Sequence, residues 1–299
     1  PPQGAFICEG KEMSRLLGLG ACQMGMIAGD LQTNLETLSR HIKNILFYSP
    51  WVKLICAPEL FIPGPSHMEQ TAQEIPGEIT AYCADLAKAH DVYLVPGSMY
   101  EKSEEGIYNT APVFNPQGEL IATYRKMYPW RPHEKTVSGN RTVTFDIPGA
   151  GTIGVCICYD LWFPEVIRDV VWQGAEVVLI PTLTGTQDRR QELILCRAAA
   201  MVNQCYIVSV NGLIPGGIGQ SIMVDPEGNI VQQANQLPEN MMAMLDLDKV
   251  QQVRTYGTCG VSRVMDSYFH ESHRFDHQQK QYPESPAATS IPGFSQDNT

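Results

Sequence analysis

An apolar, β-branched run from Thr152 to Ile157 has the length of a buried strand and stops on a thiol, Cys158. Pro164-Glu165 then opens a stretch with Val166, Ile167, Val170 and Val171 at helical spacing, the signature of an amphipathic helix with proline in its first turn. So short a passage leaves Cys158 on the turn between them, pushed out at the carboxyl end of the strand. Helix-terminal N–H groups there can lower a thiol pKa and stabilise an anion. A cysteine inside an apolar run is ordinarily a small buried hydrophobe, and Cys156 is read that way. Position separates Cys158 from it.

Similar units recur along the chain. Leu16 to Met24 reads as a strand, and Leu35, Leu38, Ile42, Ile45 and Leu46 follow at helical spacing. Val52 to Ala57 is a second strand, stopped by Pro58-Glu59. Helix is expected over Glu78–His90, strand over Val92–Met99, and a hairpin joins Tyr108–Phe114 to Leu120–Tyr124 across Asn115-Pro116-Gln117-Gly118. Lys126 to Arg141, dense in Trp, Pro, Arg and His, lacks periodicity; a loop of that length usually carries function. Strands at Thr142–Ile147 and Thr152–Ile157, helix at Pro164–Trp172, strand at Glu176–Ile180, helix over about 187–202 and strand at Cys205–Val210 follow. A hairpin over Ser221–Gln232 turns at Asp225, and Met241–Leu247 closes the sheet material.

An internal echo runs through this order. The strand ending in Pro58-Glu59 resembles the one ending in Pro181-Thr182, and each half holds an Asn/Asp-Pro-x-Gly hairpin. Mixed strands with outer helices predict two sheets packed face to face under two helical layers, an α/β domain expected to span residues 14–260. Residues 1–13 carry no periodic pattern and are expected to form a loose arm or a remnant. Residues 261–299, rich in His, Gln, Ser and Pro, are expected to be extended or wrapped on a partner subunit.

Charge and cysteine usage exclude several classes. A net charge of -11 argues against nucleic acid or an acidic membrane as partner. The odd set of 9 cysteines, mostly inside apolar runs, fits a reduced, cytoplasmic protein better than a disulfide framework. No apolar run approaches the ~20 residues needed to span a bilayer.

Glu59 after its proline, Lys126 after a hairpin strand and Glu134 in the aromatic loop sit where a core would not want them. Singly, each is an ordinary solvated loop charge. Together with Cys158 they resemble the nitrilase superfamily of carbon–nitrogen hydrolases. The resemblance covers roughly Leu17 to Arg263 and rests on Pro58-Glu59-Leu60, on Tyr124-Arg125-Lys126, on Glu134 and on Gly154-x-x-x-Cys158-Tyr159-Asp160-x-x-Phe163-Pro164-Glu165, with Gln23 and Asn34 also matching.

The resemblance implies a four-layer α-β-β-α sandwich, paired into homodimers or higher homo-oligomers through helices near the site. It implies Cys158 as nucleophile, Glu59 as general base, Lys126 as oxyanion-side cation and Glu134 as second carboxylate. An amide is a poor electrophile, so attack requires a thiolate; Glu59 can take the thiol proton and pass it to departing ammonia. Lys126 and the Tyr159 amide can meet charge developing on the carbonyl oxygen. With Glu59 and Glu134 beside it, Lys126 should stay charged even in a dry cleft. The expected reaction is acylation of Cys158 and hydrolysis of the thioester by water, with no metal or organic cofactor. The pair Cys156 and Cys158 lacks the further ligands of a zinc site.

Substrate is less constrained. Pro129-Trp130-Arg131-Pro132 resembles a Pro-Trp-x-Pro segment of amidases acting on small aliphatic amides, although Arg131 and His133 depart from the simplest of them. Tyr159, Trp162, Thr182, Thr184, Arg131 and His133 are the expected oxyanion and substrate-binding residues. Arg131, His133, Arg189 and Arg190 suggest a substrate with a carboxylate or other polar end; the ordinary alternative is that they bind structural acids or face water. Nitrile or N-carbamoyl amine hydrolysis is the alternative chemistry. An inactive dimeric scaffold is the alternative of another class, since a fold does not confer activity.

Overall fold

The computed structural model describes residues 14–65 and 67–270. The chain begins β1 (Leu16–Gln23), α1 (Leu31–Tyr48), β2 (Leu54–Cys56), α2 (Met68–Thr71), α3 (Glu78–His90), β3 (Tyr93–Val95), β4 (Met99–Ser103), β5 (Gly106–Phe114) and β6 (Leu120–Arg125). It continues β7 (Val143–Ile147), β8 (Gly151–Val155), a 3-10 turn over Cys158–Trp162, α4 (Pro164–Trp172), β9 (Val177–Thr182), α5 (Arg189–Asn203) and β10 (Tyr206–Asn211). The remaining elements are β11 (Ile222–Val224), β12 (Ile230–Gln233), β13 (Glu239–Asp246), α6 (Leu247–Tyr256) and α7 (Val264–His270).

One sheet runs β13-β1-β2-β3-β5-β4 with β6 also on β5; the other runs β12-β11-β10-β9-β8-β7. β1, β2 and β3 are parallel neighbours, as are β8, β9 and β10, each set linked through helices. Successive strand side chains point to opposite faces, so each strand serves two cores. Leu54 and Cys56 face the central core while Ile55 and Ala57 face α1 and α3; Val177 and Leu179 face the centre while Val178 and Ile180 face α4 and α5. Three apolar clusters between four layers result: helices, sheet, sheet, helices. Among the described residues no helix is long and apolar enough to cross a membrane.

Glycine permits a close approach of layers on β8. A Cβ on Gly154 in β8 would lie 2.0 Å from Val170 Cγ1 of α4, so this glycine sets the helix against the sheet. The two echoed segments also meet: the amide of Glu59, just past β2, donates to the Thr182 carbonyl at the end of β9.

Three stretches differ from expectation. Val92–Met99 is two strands, because Pro96-Gly97 breaks the run; Gly97 has φ +84°, and a Cβ there would lie 1.8 Å from the Pro58 carbonyl oxygen. The bend lets the Ser98 hydroxyl accept from the Leu60 amide at 2.9 Å, which braces the residue next to Glu59. Beyond β13 the chain forms α6, capped by the Asp246 carboxylate on the Asp248 amide. Residues 264–270, expected to belong to an extended tail, form α7, where Met265 is buried against α4 and α5 and its amide donates to Gln204 Oε1. The expected arm, 1–13, and the rest of the tail, 271–299, lie outside the described residues.

Candidate active site

Cys158 follows the alternation of β8 to its end. Cys156 enters the cluster under α4 and α5, Ile157 enters the central core, and Cys158 opens the 3-10 turn with φ 46°. A non-glycine residue in the left-handed region is strained and persists only where its surroundings enforce it. Asp160 does so here: its Oδ2 accepts from the Ile157 amide at 2.9 Å and the Tyr124 hydroxyl at 2.7 Å, and its Oδ1 accepts from the Tyr128 amide at 2.9 Å. Burial pushes the Asp160 carboxyl up to about 6, although these donors favour its charged form.

Lys126, 1% exposed, lies at the centre of the charge arrangement. Its Nζ is 2.7 Å from Glu59 Oε1 and 2.7 Å from Glu134 Oε2. Burial opposes its charge, but Glu59, Cys158 and Glu134 together outweigh that and hold its pKa well above the usual lysine value. Burial likewise opposes ionisation of Glu134, yet Lys126, the Trp130 amide and Asn109 bring its carboxyl below the ordinary range.

For the thiol the balance falls the other way from the expectation at a helix end. Burial first and the charge of Glu59 second push Cys158 well above its normal value, with Lys126 opposing them. The resting sulfur is thus a thiol, and its ionisation requires a base. On its other side, Cys158 Sγ lies 3.6 Å from Thr184 Oγ1, which donates to Glu192 Oε1 at 2.9 Å.

Glu59, Lys126, Glu134 and Cys158, from four separate segments, line one cavity of about 580 Å³. Tyr159, His133 and Thr184 also line it, beside Trp130, Leu60, Leu183 and Ile218. Three other expected substrate contacts are not on its wall. The Arg131 guanidinium donates to the Glu134 and Thr136 carbonyl oxygens, bracing the loop that carries Glu134. The Thr182 hydroxyl is buried, donating to the Ile180 carbonyl and lying near Ser209, while its carbonyl holds the Glu59 amide. Trp162 lies on the far part of the 3-10 turn, where among the described residues its buried Nε1 has no hydrogen-bond partner.

The suggested anion clamp is likewise dispersed. Arg189 is fully buried and pairs with Glu192 at 2.9 Å, and Arg190 lines a neighbouring cavity that meets the first at Gly185, Thr186 and Ile218. Sequence reasoning passed over Asn109 and Glu192. Glu192 looked like one polar residue among several on α5, and Asn109 like the polar partner in a strand alternation. Their one visible signal was a polar residue in a segment otherwise destined for burial.

The chain matches the carbon-nitrogen hydrolase family over residues 18–255. It is 34% identical over 189 residues to a formamidase of Bacillus cereus (strain B4264), covering 61% of this chain and 57% of that protein. The match thus spans a little over half the length of that relative, and the same identity and coverage hold for a formamidase of Bacillus thuringiensis (strain Al Hakam). Among solved structures, Saccharomyces cerevisiae Nit3, a member of branch 10 of the nitrilase superfamily, superposes with a TM-score of 0.74 at 27% identity, covering 81% of this chain and 94% of Nit3. An amidase variant from Nesterenkonia sp. AN1, with the acetamide moiety of fluoroacetamide covalently added at its active site cysteine, gives 0.69 at 25% identity over 80% of this chain and 93% of that one. With two sheets between two helical layers and a match reaching from β1 into α6, this chain belongs to the carbon-nitrogen hydrolase family.

Proposed function

We propose that this chain hydrolyses the C–N bond of a small non-peptide amide, giving ammonia and a carboxylic acid through a thioester on Cys158. The observation that carries the reading is the Lys126 ammonium, 2.7 Å from each of two carboxylates, on the wall of the cavity that also bears the Cys158 thiol.

Glu59 takes the thiol proton as sulfur attacks the amide carbon. Negative charge on the carbonyl oxygen is met by Lys126 and by the Tyr159 amide in the first turn after the nucleophile. The protonated Glu59 passes its proton to the amide nitrogen, the C–N bond breaks and ammonia leaves. Water, deprotonated by Glu59, then attacks the thioester, releasing the acid and restoring the thiol. Glu134 accepts from Lys126 and keeps the ammonium aimed at the cleft. The formamidase and amidase activities named for the relatives support this chemistry.

We further propose that the hydrolase unit extends over residues 14–270, works in a reducing, cytoplasmic setting and assembles as a homo-oligomer. The eight described cysteines are all unpaired, and six of them are buried, which suits a reducing compartment. Exposed Ile194, Met201 and Val202 on α5 offer apolar surface for a subunit contact. Ammonia release across small amides, nitriles and N-carbamoyl amines tests the chemistry, with Cys158→Ala as control. Turnover of amides that vanishes in the variant is expected; amide turnover surviving that substitution, or activity confined to nitriles, would overturn it.

A further inference from the structure

The two carboxylates beside Lys126 are not hydrogen-bonded alike. Glu134 is saturated: its Oε1 accepts from Asn109 Nδ2 at 3.0 Å and Thr136 Oγ1 at 2.9 Å, and its Oε2 accepts from Lys126 Nζ at 2.7 Å and the Trp130 amide at 2.9 Å. Glu59 receives Lys126 at 2.7 Å and Asn109 Nδ2 at 2.9 Å on the same atom, Oε1. Among the described residues no hydrogen bond reaches its Oε2. Of the four oxygens, the one that accepts no hydrogen bond among the described residues belongs to Glu59.

Asn109 produces this asymmetry. It sits on β5 beside Lys126, whose backbone amide donates to the Asn109 carbonyl at 2.8 Å, so pairing across the sheet fixes the two side chains together. A primary amide carries two N–H donors at a fixed angle, and Asn109 divides them between the two glutamates. It cannot turn over, because its Oδ1 would then face both carboxylates. That Oδ1 is buried and, among the described residues, has no donor. An unmet buried acceptor is destabilising, so the orientation is maintained against a local cost.

We propose that Asn109 is a positioning residue which, with Lys126, pins Glu59 through Oε1 and so makes Oε2 the atom that exchanges protons with substrate and sulfur. This rests on the amidase reading above. In the first step the Cys158 S–H bond breaks and an Oε2–H bond forms; in the next, that proton moves to the departing nitrogen as the C–N bond breaks. An unpinned carboxylate would divide its time among rotations, and misplacement of a catalytic group by about an ångström can cost on the order of a hundredfold in rate.

The test uses Asn109→Asp, equal in shape but without the donors, and Asn109→Ser, which is smaller and leaves room for water. Both are assayed for amide turnover, for the rate of Cys158 alkylation by iodoacetamide and for melting temperature. The expected result is a kcat about 10- to 100-fold lower with KM within about twofold of the parent, together with slower alkylation. Should one variant not fold, the other decides. Unchanged kcat and alkylation in either folded variant would overturn the role of Asn109, provided that Cys158→Ala and Glu59→Gln are inactive. Turnover persisting in those two controls would instead overturn the amidase reading itself.

Discussion

Glu134 Oε2 accepts from Lys126 Nζ at 2.7 Å while the same ammonium, at the same distance, reaches Glu59 Oε1. A single buried cation thus joins Glu59, the proposed base, to a second carboxylate. Removing Glu134 leaves the bond-making atoms in place but frees Lys126 to turn toward Glu59. In Glu134→Gln, kcat is expected to fall by about a hundredfold or more, measured as ammonia release on the folded protein. Near-normal turnover would show that Lys126 is oriented by other means.

Asp160 makes stability depend on pH in a direction opposite to most carboxylates. Its folded-state value of about 6 lies above the ordinary 3.8, so between those values the folded protein holds a proton that the unfolded chain has released. Stability from this group is therefore fully present below about 3.8 and is lost as pH rises through about 6. The difference amounts to about 3 kcal/mol at 1.36 kcal/mol per unit. Urea unfolding at about pH 4 and about pH 7 should show Asp160→Asn, though weaker overall, lacking a loss of about that size that the parent chain undergoes. Equal pH dependence in the two proteins would contradict the assignment. Glu134 acts in the usual sense: its depressed value gives stability present above the normal carboxylate range and lost as pH falls through its folded value.

Gly154 separates β8 from α4 by less than a methyl group can occupy. Gly154→Ala should overpack against Val170 and destabilise by about 1–3 kcal/mol, read from the denaturation midpoint. Because β8 leads directly to Cys158, activity should fall even where the variant is folded. A neutral effect on both would mean that the helix can move away freely.

The cavity wall carries Glu59, Glu134, Asp188 and Glu192, whereas Arg131 is engaged by backbone carbonyls and Arg189 by Glu192. An uncharged amide should accordingly be turned over faster than an amide of equal length ending in a carboxylate, seen as a higher kcat/KM. A marked preference for the acid would place its anionic end on Arg190 in the adjoining cavity.

Most of the fold was legible in the sequence because its strands are apolar runs stopped by proline or polar residues. Helix bounds at Glu78–His90 and Pro164–Trp172 agree with the expected ones. The break at Pro96-Gly97 is written in those two residues, but its purpose, reaching Pro58 and Leu60, depends on contacts with a distant segment. α7 was not legible: it forms by packing on α5 and α6, with Met265 buried and Tyr268 against Trp172, rather than by periodicity. Glu59, Lys126, Glu134 and Cys158 were legible only as a set, through the motifs they stand in, since each charge taken singly reads as an ordinary loop residue. Asn109 was not, since nothing in the sequence tells a buried asparagine with two carboxylate partners from one facing water. Arg131, Thr182 and Trp162 were placed at the cavity by proximity along the chain, which cannot say to which side of a strand or turn a side chain points.

The central claim is a covalent bond between substrate carbon and Cys158 Sγ. Mixing the protein with a small amide, quenching in acid within the first turnovers and mapping peptides by mass spectrometry tests it most directly. The account predicts an acyl mass on the peptide carrying Cys158, absent from Cys158→Ala and lost again as the acid is released. Turnover with no such adduct, or an acyl group on another residue, would contradict it.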